Sequence, residues 1–326
     1  MSLGALLVSV WFAVSVGTVK IPLELLWNAS AFPMESAVLF DIRLPRVLLA
    51  GLVGASLAIA GAAFQGLLKN PLADPYTLGV SSGASVGAVA VLFFGISLPA
   101  LGLFTLPLVA AAAAFLTMLA VLMFSRMIDR SLKMETLILA GIVMTSFLGS
   151  VMSLMIALTG EELRSIIGWL LGSVSMRGWP YVWLLLPFFL LGLVIILMNT
   201  RELNAMMLGE EKAKHLGVNV NSRKLWLLFS GSMLAGASVA VSGTIGFVGL
   251  VVPHIVRRLW GADHRHLVPL SALNGASLLV LCDLVARTII SPTELPIGVI
   301  TAFIGAPLFG FILWQQRKGG RAHASR

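Results

Sequence analysis

The sequence predicts an all-α membrane protein with about ten transmembrane helices. Of its 326 residues, 58% are hydrophobic and 11% are charged, and the mean hydropathy is +0.99. Soluble domains carry roughly 25% charged residues, so this composition excludes a soluble enzyme. One span needs about 20 apolar residues, so ten spans would use roughly 200 residues. The apolar runs are continuous rather than alternating, which disfavours a β-barrel.

Ten apolar runs lie between charged or Pro/Gly-rich breaks, and each is interpreted as one span. The first has no preceding basic stretch and no clear cleavage site, which favours a span over a signal peptide. A shorter stretch, Glu161 to Ser173, is expected to be a half-helix at one membrane surface. The predicted spans are 3–19, 45–66, 77–96, 104–125, 134–157, 180–199, 225–243, 245–260, 268–290 and 295–314.

Lysine and arginine are unevenly shared between the two sets of loops. With a cytoplasmic N-terminus, sixteen of the 22 Lys and Arg fall inside and six outside. Positive charge collects in cytoplasmic loops, so both termini are predicted to be cytoplasmic. Topology then explains the net charge of +8 without nucleic-acid binding.

An internal repeat relates the two halves of the chain. Leu52–Gly61 parallels Leu234–Gly243 at an offset of 182, which also carries Pro71 onto Pro253. Spans 2 and 7 run in opposite directions in the predicted topology. The sequence therefore predicts inverted repeats, spans 2–5 and 7–10, within one transmembrane domain that covers residues 1–326.

The sequence contains few motifs that would indicate catalysis or metal binding. A single cysteine, Cys282, excludes a disulfide framework, and the sequence has no G-x-x-x-x-G-K-[ST] phosphate loop. His264 and His266 fit a solvated basic loop better than a metal site. We expect no catalytic residue, metal site or cofactor on this chain, and no ATP hydrolysis by the chain itself.

One acid and one base lie within a predicted span. Asp283 and Arg287 are one helical turn apart, so they are either a structural ion pair or part of a functional site. Spans 2–10 show no other charged residue near their middles. This disfavours an ion-driven secondary transporter, the alternative class, because coupling ions need such groups.

Two polar regions could receive partners. The cytoplasmic segment 203–220 is either a surface helix or a docking helix for a cytoplasmic subunit. In it, Glu210, Glu211, Lys212 and Lys214 lie beside the apolar Leu203, Met206, Met207 and Leu216. Outside, Arg43 and Arg46 are either snorkelling anchors or a docking site for an acidic partner.

Six segments carry motifs that follow one another in a set order. They are R-L-P-R at 43–46, the segments 65–88 and 208–217, G-F-V-G-L-V-V-P-H-I-V-R at 246–257, D-L-V-A-R at 283–287, and the segment 294–309. Together they resemble the FecCD-type permeases, the type II membrane subunits of ABC importers for ferric siderophores, haem and cobalamin. The match covers nearly the whole chain after span 1.

The resemblance implies a multi-pass subunit of the cytoplasmic (inner) membrane that forms a homodimer. Two ATPase subunits, which bind ATP and Mg, would dock inside, and a substrate-binding protein would dock outside. Arg43, Arg46 and Arg287 correspond to arginines that contact acidic residues of the binding protein in the cobalamin importer.

The resemblance also assigns a coupling helix and a gate. The coupling residues, which would sit in a cleft of the ATPase, are Leu208, Gly209, Glu210, Glu211, Ala213, Leu216 and Gly217. The gate and pathway residues are Asn70, Pro71, Leu72, Met134, Glu135, Trp169 and Ser173. Met134 and Glu135 stand where the cobalamin permease has small hydroxylated residues.

The substrate is predicted from the end of the half-helix. The sequence W-L-L-G-S at 169–173 looks more like siderophore and haem permeases than the enteric cobalamin permease. A ferric siderophore or related iron chelate is the prediction, with haem or cobalamin as alternatives. Free metal ions would need a path lined by histidines or acids, and the histidines fall at the cytoplasmic face.

Overall fold

All regular structure in the described residues is helical, and each of the ten predicted spans contains a helix. The computed structural model describes residues 1–17, 19, 22, 31–129 and 133–324, with only the backbone at 313 and 315–324. Thr18 of the first predicted span, Lys20 and Arg130 lie outside these residues. The helices are α1 (Ser2–Ser15), α2 (Pro33–Ala37), α3 (Leu44–Leu67), α4 (Val80–Phe93), α5 (Thr105–Ile128), α6 (Met134–Ala157), α7 (Leu163–Leu170), α8 (Gly178–Met198), α9 (Thr200–Met207), α10 (Glu210–His215), α11 (Val220–Ser242), α12 (Val248–Trp260), α13 (His264–Thr288) and α14 (Ile297–Ala324).

The buried centre of the bundle is α3, and small residues let other helices reach it. A side chain at Gly54 would collide with the carbonyl of Gly275 on α13, and one at Gly61 with the carbonyl of Gly249 on α12. In a membrane, the hydrophobic effect does not drive helices together, so close backbone approach of this kind is what packs them against one another. A π-helical turn at Val38–Arg43 leads into α3 and turns Arg43 inward.

The two halves pack in a reciprocal way. Helix α3 packs on α12 and α13 of the second half, and α11 packs on α4 and α5 of the first half. Element order is also the same, with α3–α6 matching α11–α14. This is the inverted-repeat architecture that the sequence predicts.

Both halves contain a break at mid-depth, which makes α4 and α12 short. Gly79, just before α4, lies beside Thr117, the middle of α5. The Tyr76 hydroxyl donates to the carbonyl of Ile245 (2.9 Å), so the break before α4 meets the break before α12. Irregular backbone is tolerated at this depth because protein surrounds it.

Two details of the predicted repeat and spans are wrong. Pro71 lies in the loop after α3, whereas Pro253 lies inside α12, because the second break is shorter than the first. The third span begins as a 3-10 turn at Pro75–Leu78 and continues as α4, only 14 residues long. The offset of 182 therefore holds within α3 and α11 and not beyond them.

The predicted single coupling segment, 203–220, is two short helices. Helix α9 ends at Met207, Gly209 adopts a backbone φ of 123°, and α10 follows at Glu210. The half-helix expected within Glu161 to Ser173 is α7, which is eight residues long.

Candidate functional site: an arginine-lined cavity and the predicted coupling segment

An open cavity of about 480 Å³ lies at the end of the bundle where α1 and α13 finish and α3 begins. All three arginines predicted for docking line it. The other lining residues come from the end of α1, the π-helical turn and the loop before α14. The full lining is Val16, Gly17, Val19, Val38, Ile42, Arg43, Arg46, Arg287, Thr288, Ser291 and Glu294.

Arg46 is held by two carboxylates at once. Its Nε and Nη2 donate to Asp283 at 2.9–3.1 Å, and its Nη1 and Nη2 donate to Glu294 at 2.7 and 3.1 Å. Nη1 also reaches the Ser175 hydroxyl at 3.5 Å. Both edges of the guanidinium are therefore occupied within this chain, one by a buried acid and one by an exposed acid.

Arg43 and Arg287 fix the end of α1. Arg43 is buried and donates to the carbonyls of Val14 (2.8 Å) and Val19. Arg287 donates to the carbonyl of Ala13, and among the described residues its Nε has no hydrogen-bond partner. These carbonyls are neutral, so neither hydrogen bond cancels the charge of its arginine.

The predicted pair of Asp283 and Arg287 is the weaker contact of this acid. Arg287 Nε lies 3.8 Å from Asp283 Oδ2, whereas Arg46 makes three shorter contacts to the same carboxylate. Sequence reasoning missed Arg46 as the principal partner because the two residues are 237 positions apart. It also missed Glu294, although this acid opens the E-L-P motif that marks the resemblance.

Glu294 is ionised in this site. Burial disfavours its charged form, but hydrogen bonds from Arg46 and Ser175 and the charge of Arg46 outweigh that, so its pKa lies below the ordinary value. The cavity lining therefore carries three arginines and one carboxylate, Glu294, while Asp283 lies buried behind Arg46.

At the opposite end of the bundle, the predicted coupling segment has apolar side chains that are exposed on the surface. Leu208 is 64% exposed and Leu216 is 66% exposed. Leu203 and Met206, from the same predicted apolar set, are buried. Met207 and Leu216 of that set are exposed, so the predicted apolar set does not form one face.

The two short helices are anchored so that this exposed pair is presented on a fixed base. Ala213 is fully buried, and Glu210 pairs with Lys224 of α11 at 2.6 Å. Gly209 and Gly217 have positive φ, which L side chains rarely adopt. On α9, Asn204 donates to Asp263 (2.7 Å), which caps α13. The side chain of Glu211, on α10, is exposed.

The predicted gate residues are spread over three places. Asn70 accepts from the backbone N–H of Leu72 (2.9 Å), which forms a tight turn around Pro71. Met134 and Glu135 begin α6, and Glu135 is exposed. Helix α6 packs on the continuation of the Asn70 loop, where Gly141 meets Thr77.

Trp169 and Ser173 do not present their side chains to an open path. Trp169 is 6% exposed and packs in the core, because α7 turns this face towards Gly243. The Ser173 N–H donates to the carbonyl of Ser242 (2.7 Å), and its hydroxyl accepts from Ser175. The exposed face of α7 carries Ile167 and Leu171 instead.

The described residues contain no group of three His, Cys, Asp or Glu placed to hold a metal ion. Cys282 is buried in α13. The distinctive chemistry of the described chain therefore lies at its two ends.

A helical bundle with inverted halves, broken helices at mid-depth and contrasting surfaces at its two ends defines a membrane permease of the ABC-importer class. The chain matches the FecCD transport family over residues 5–315 and belongs to that family. It is 60% identical to the uncharacterised ABC transporter permease protein YvrB of Bacillus subtilis, over 97% of this chain and 93% of the relative.

Two further comparisons extend this family assignment. The chain is 40% identical to the hemin transport system permease protein HmuU of Yersinia pestis, over 93% of this chain and 91% of the relative. It also matches a solved inward-facing conformation of a metal-chelate type ABC transporter, with a TM-score of 0.86 and 36% identity. That match covers 96% of this chain and 97% of the other.

Proposed function

We propose that this chain is the translocating subunit of a binding-protein-dependent importer that carries a ferric siderophore or related iron chelate across the cytoplasmic membrane. The observation that carries the proposal is the pair of contrasting ends in a FecCD-family bundle. One end has a cavity lined by arginines, and the other has a fixed segment with exposed leucines. Each suits a different protein partner.

The outer end would receive the substrate-binding protein. Arg43, Arg46 and Arg287 line one cavity, so an acidic side chain that enters it meets all three. Charge complementarity of this kind steers encounter and fixes the register of docking. The bias of Lys and Arg towards the opposite end supports placing this cavity outside and both termini inside.

The inner end would receive an ATPase subunit. Leu208 and Leu216 supply the exposed apolar contacts, and Ala213 and the pair of Glu210 and Lys224 hold them on the bundle. A rigid connection is needed because the nucleotide-dependent movement of the ATPase must reach the membrane helices. Nucleotide on that partner supplies the difference between the two states that alternating access requires.

The pathway would lie between two copies of the chain. Helix α6 is among the least buried of the long apolar helices, and Phe147 on it and Phe303 on α14 are exposed. Apolar residues of α6, α7 and α14 suit a wide path for a bulky chelate. The relatives named for hemin and metal chelates support a substrate of that class.

The test is reconstitution of the permease in liposomes with its partner ATPase and binding protein. Uptake of a labelled ferric hydroxamate, haem and cyanocobalamin is measured in parallel. We expect uptake of the ferric hydroxamate only when hydrolysable ATP is on the ATPase side. Uptake driven by an ion gradient without ATP would overturn the proposal, and ATP-driven uptake of haem or cobalamin alone would overturn only its substrate.

A further inference from the structure

Arg46 offers two edges to carboxylates, and the two edges differ in burial. The edge of Nε and Nη2 faces Asp283, which is 1% exposed, and the edge of Nη1 and Nη2 faces Glu294, which is 38% exposed. A carboxylate that arrives from outside can reach only the second edge. That edge is already occupied by Glu294 at 2.7 and 3.1 Å.

We propose that Glu294 competes with the binding protein for Arg46, and that the docking carboxylate displaces it. The proposal rests on the docking role of the arginine cavity. In the free permease, Glu294 accepts hydrogen bonds from Nη1 and Nη2 of Arg46 and lowers the positive charge of the cavity. Arg43, Arg46 and Arg287 against Asp283 and Glu294 leave one net positive charge, and displacement of Glu294 leaves two.

The position of Glu294 in the chain gives its displacement a structural consequence. Glu294 precedes α14 by three residues, and the N–H of Ile297, the first residue of α14, donates to the carbonyl of Gly172 (3.0 Å). Gly172 follows the half-helix α7, and Gly298 packs on the carbonyl of Leu171. Release of Glu294 therefore acts on the contact between the end of α7 and the start of α14, which are both proposed pathway elements.

The competitor also explains why a cavity with three arginines can exist in a free subunit. Buried like charges repel, and two acids inside the chain reduce that cost. Asp283 is the permanent partner, because separating it from Arg46 would leave an uncompensated buried charge. Glu294 is the exchangeable partner, because its exposed carboxylate is solvated when it leaves Arg46.

The decisive experiment measures binding-protein affinity for the full transporter in nanodiscs, with the variant Glu294→Gln. We expect docking to tighten by about tenfold, because the competitor loses its charge while Arg46 keeps Asp283. The matched control is Glu162→Gln, which removes the same charge from an exposed residue beside α7 and should change affinity less than about twofold. Unchanged or weaker docking by a folded Glu294→Gln protein overturns the proposal.

A second variant guards against misfolding of the first. Ser175→Ala removes a hydroxyl that bonds Glu294 and lies near Arg46, so docking should tighten in the same direction by a smaller factor. The double variant Arg43→Gln and Arg287→Gln distinguishes failure of the competitor role of Glu294 from failure of the docking cavity. If this pair weakens docking while Glu294→Gln and Ser175→Ala leave it unchanged, only the competitor role fails. If the arginine pair also leaves docking unchanged, the docking cavity itself fails.

Discussion

The two ends of this permease, proposed to be its outer and inner faces, differ in the surface that each offers to a partner. At the outer end, the arginines are largely buried and already bonded to acids or carbonyls of the same chain. At the inner end, Leu208 and Leu216 are exposed apolar side chains held on anchored helices. A partner at the arginine-lined end would therefore have to exchange contacts, whereas a partner at the other end would only have to cover a surface. We therefore expect reversible, salt-sensitive binding outside and persistent, salt-insensitive binding inside.

The largest effect is expected at the inner end. The double variant Leu208→Asp and Leu216→Asp puts two charges into the proposed apolar contact, and we expect ATPase association to fall by more than about 100-fold. Co-purification and light scattering of the solubilised complex would measure it. The matched control, Lys212→Ala and Lys214→Ala, removes exposed charges from α10, which lies between the two leucines in the chain, and should retain the complex. Retention of the ATPase by the aspartate variant would remove α10 from the interface.

A smaller effect is expected at the outer end. Arg43→Gln with Arg287→Gln keeps amide donors for the α1 carbonyls but removes two charges, so docking should weaken by about tenfold for each arginine. Binding measured at rising salt should show a shallower salt dependence than the parent protein. The control is Arg177→Gln, since Arg177 lies over the Tyr181 ring (5.0 Å) and does not line the cavity. Equal loss in the control would mean that general surface charge, rather than the cavity, attracts the partner.

The smallest effect concerns the link between α9 and α13. Asp263 accepts from the backbone N–H of Arg265 and from Asn204, and these bonds lower its pKa below the ordinary value of 3.8. A lowered pKa in the folded state means that the charged form stabilises the fold above pH 3.8, and that this stability is lost as the pH falls below it. Asp263→Asn should therefore flatten the acid limb of the melting-temperature profile, by about 2 °C at most. An unchanged acid limb in Asp263→Asn would show that Asp263 does not contribute to it.

The spans follow from the sequence because each rests on a local pattern, and the resemblance to the FecCD-type permeases pointed to the three arginines that line one cavity. Apolar runs predict helices such as α5 and α6 closely, since hydropathy changes sharply at their ends. The start of α12 is different, because the backbone between α11 and α12 breaks at mid-depth inside an apolar region. Composition does not change there, so hydropathy carries no signal for the break.

The unpredicted parts of the site are long-range pairs. Arg46 meets Asp283 and Glu294 across more than 230 residues, and Lys224 meets Glu210 between two helices. Only packing brings these charges together, and the period of a single helix reports neighbours three or four residues away. The i,i+4 pattern therefore pointed to Arg287 as the partner of Asp283, while the closer partner lies on α3.

The most direct test of the comparison is to measure which face of the membrane each end of the bundle occupies. Cys282 is buried, so a Cys282→Ala background allows single cysteines to be placed at Leu208→Cys and Glu162→Cys. Sealed right-side-out and inverted vesicles are then treated with a membrane-impermeant maleimide. We predict that Glu162→Cys labels only in right-side-out vesicles and that Leu208→Cys labels only in inverted ones. Labelling of both positions from the same side would contradict an importer subunit that receives its two partners at opposite faces.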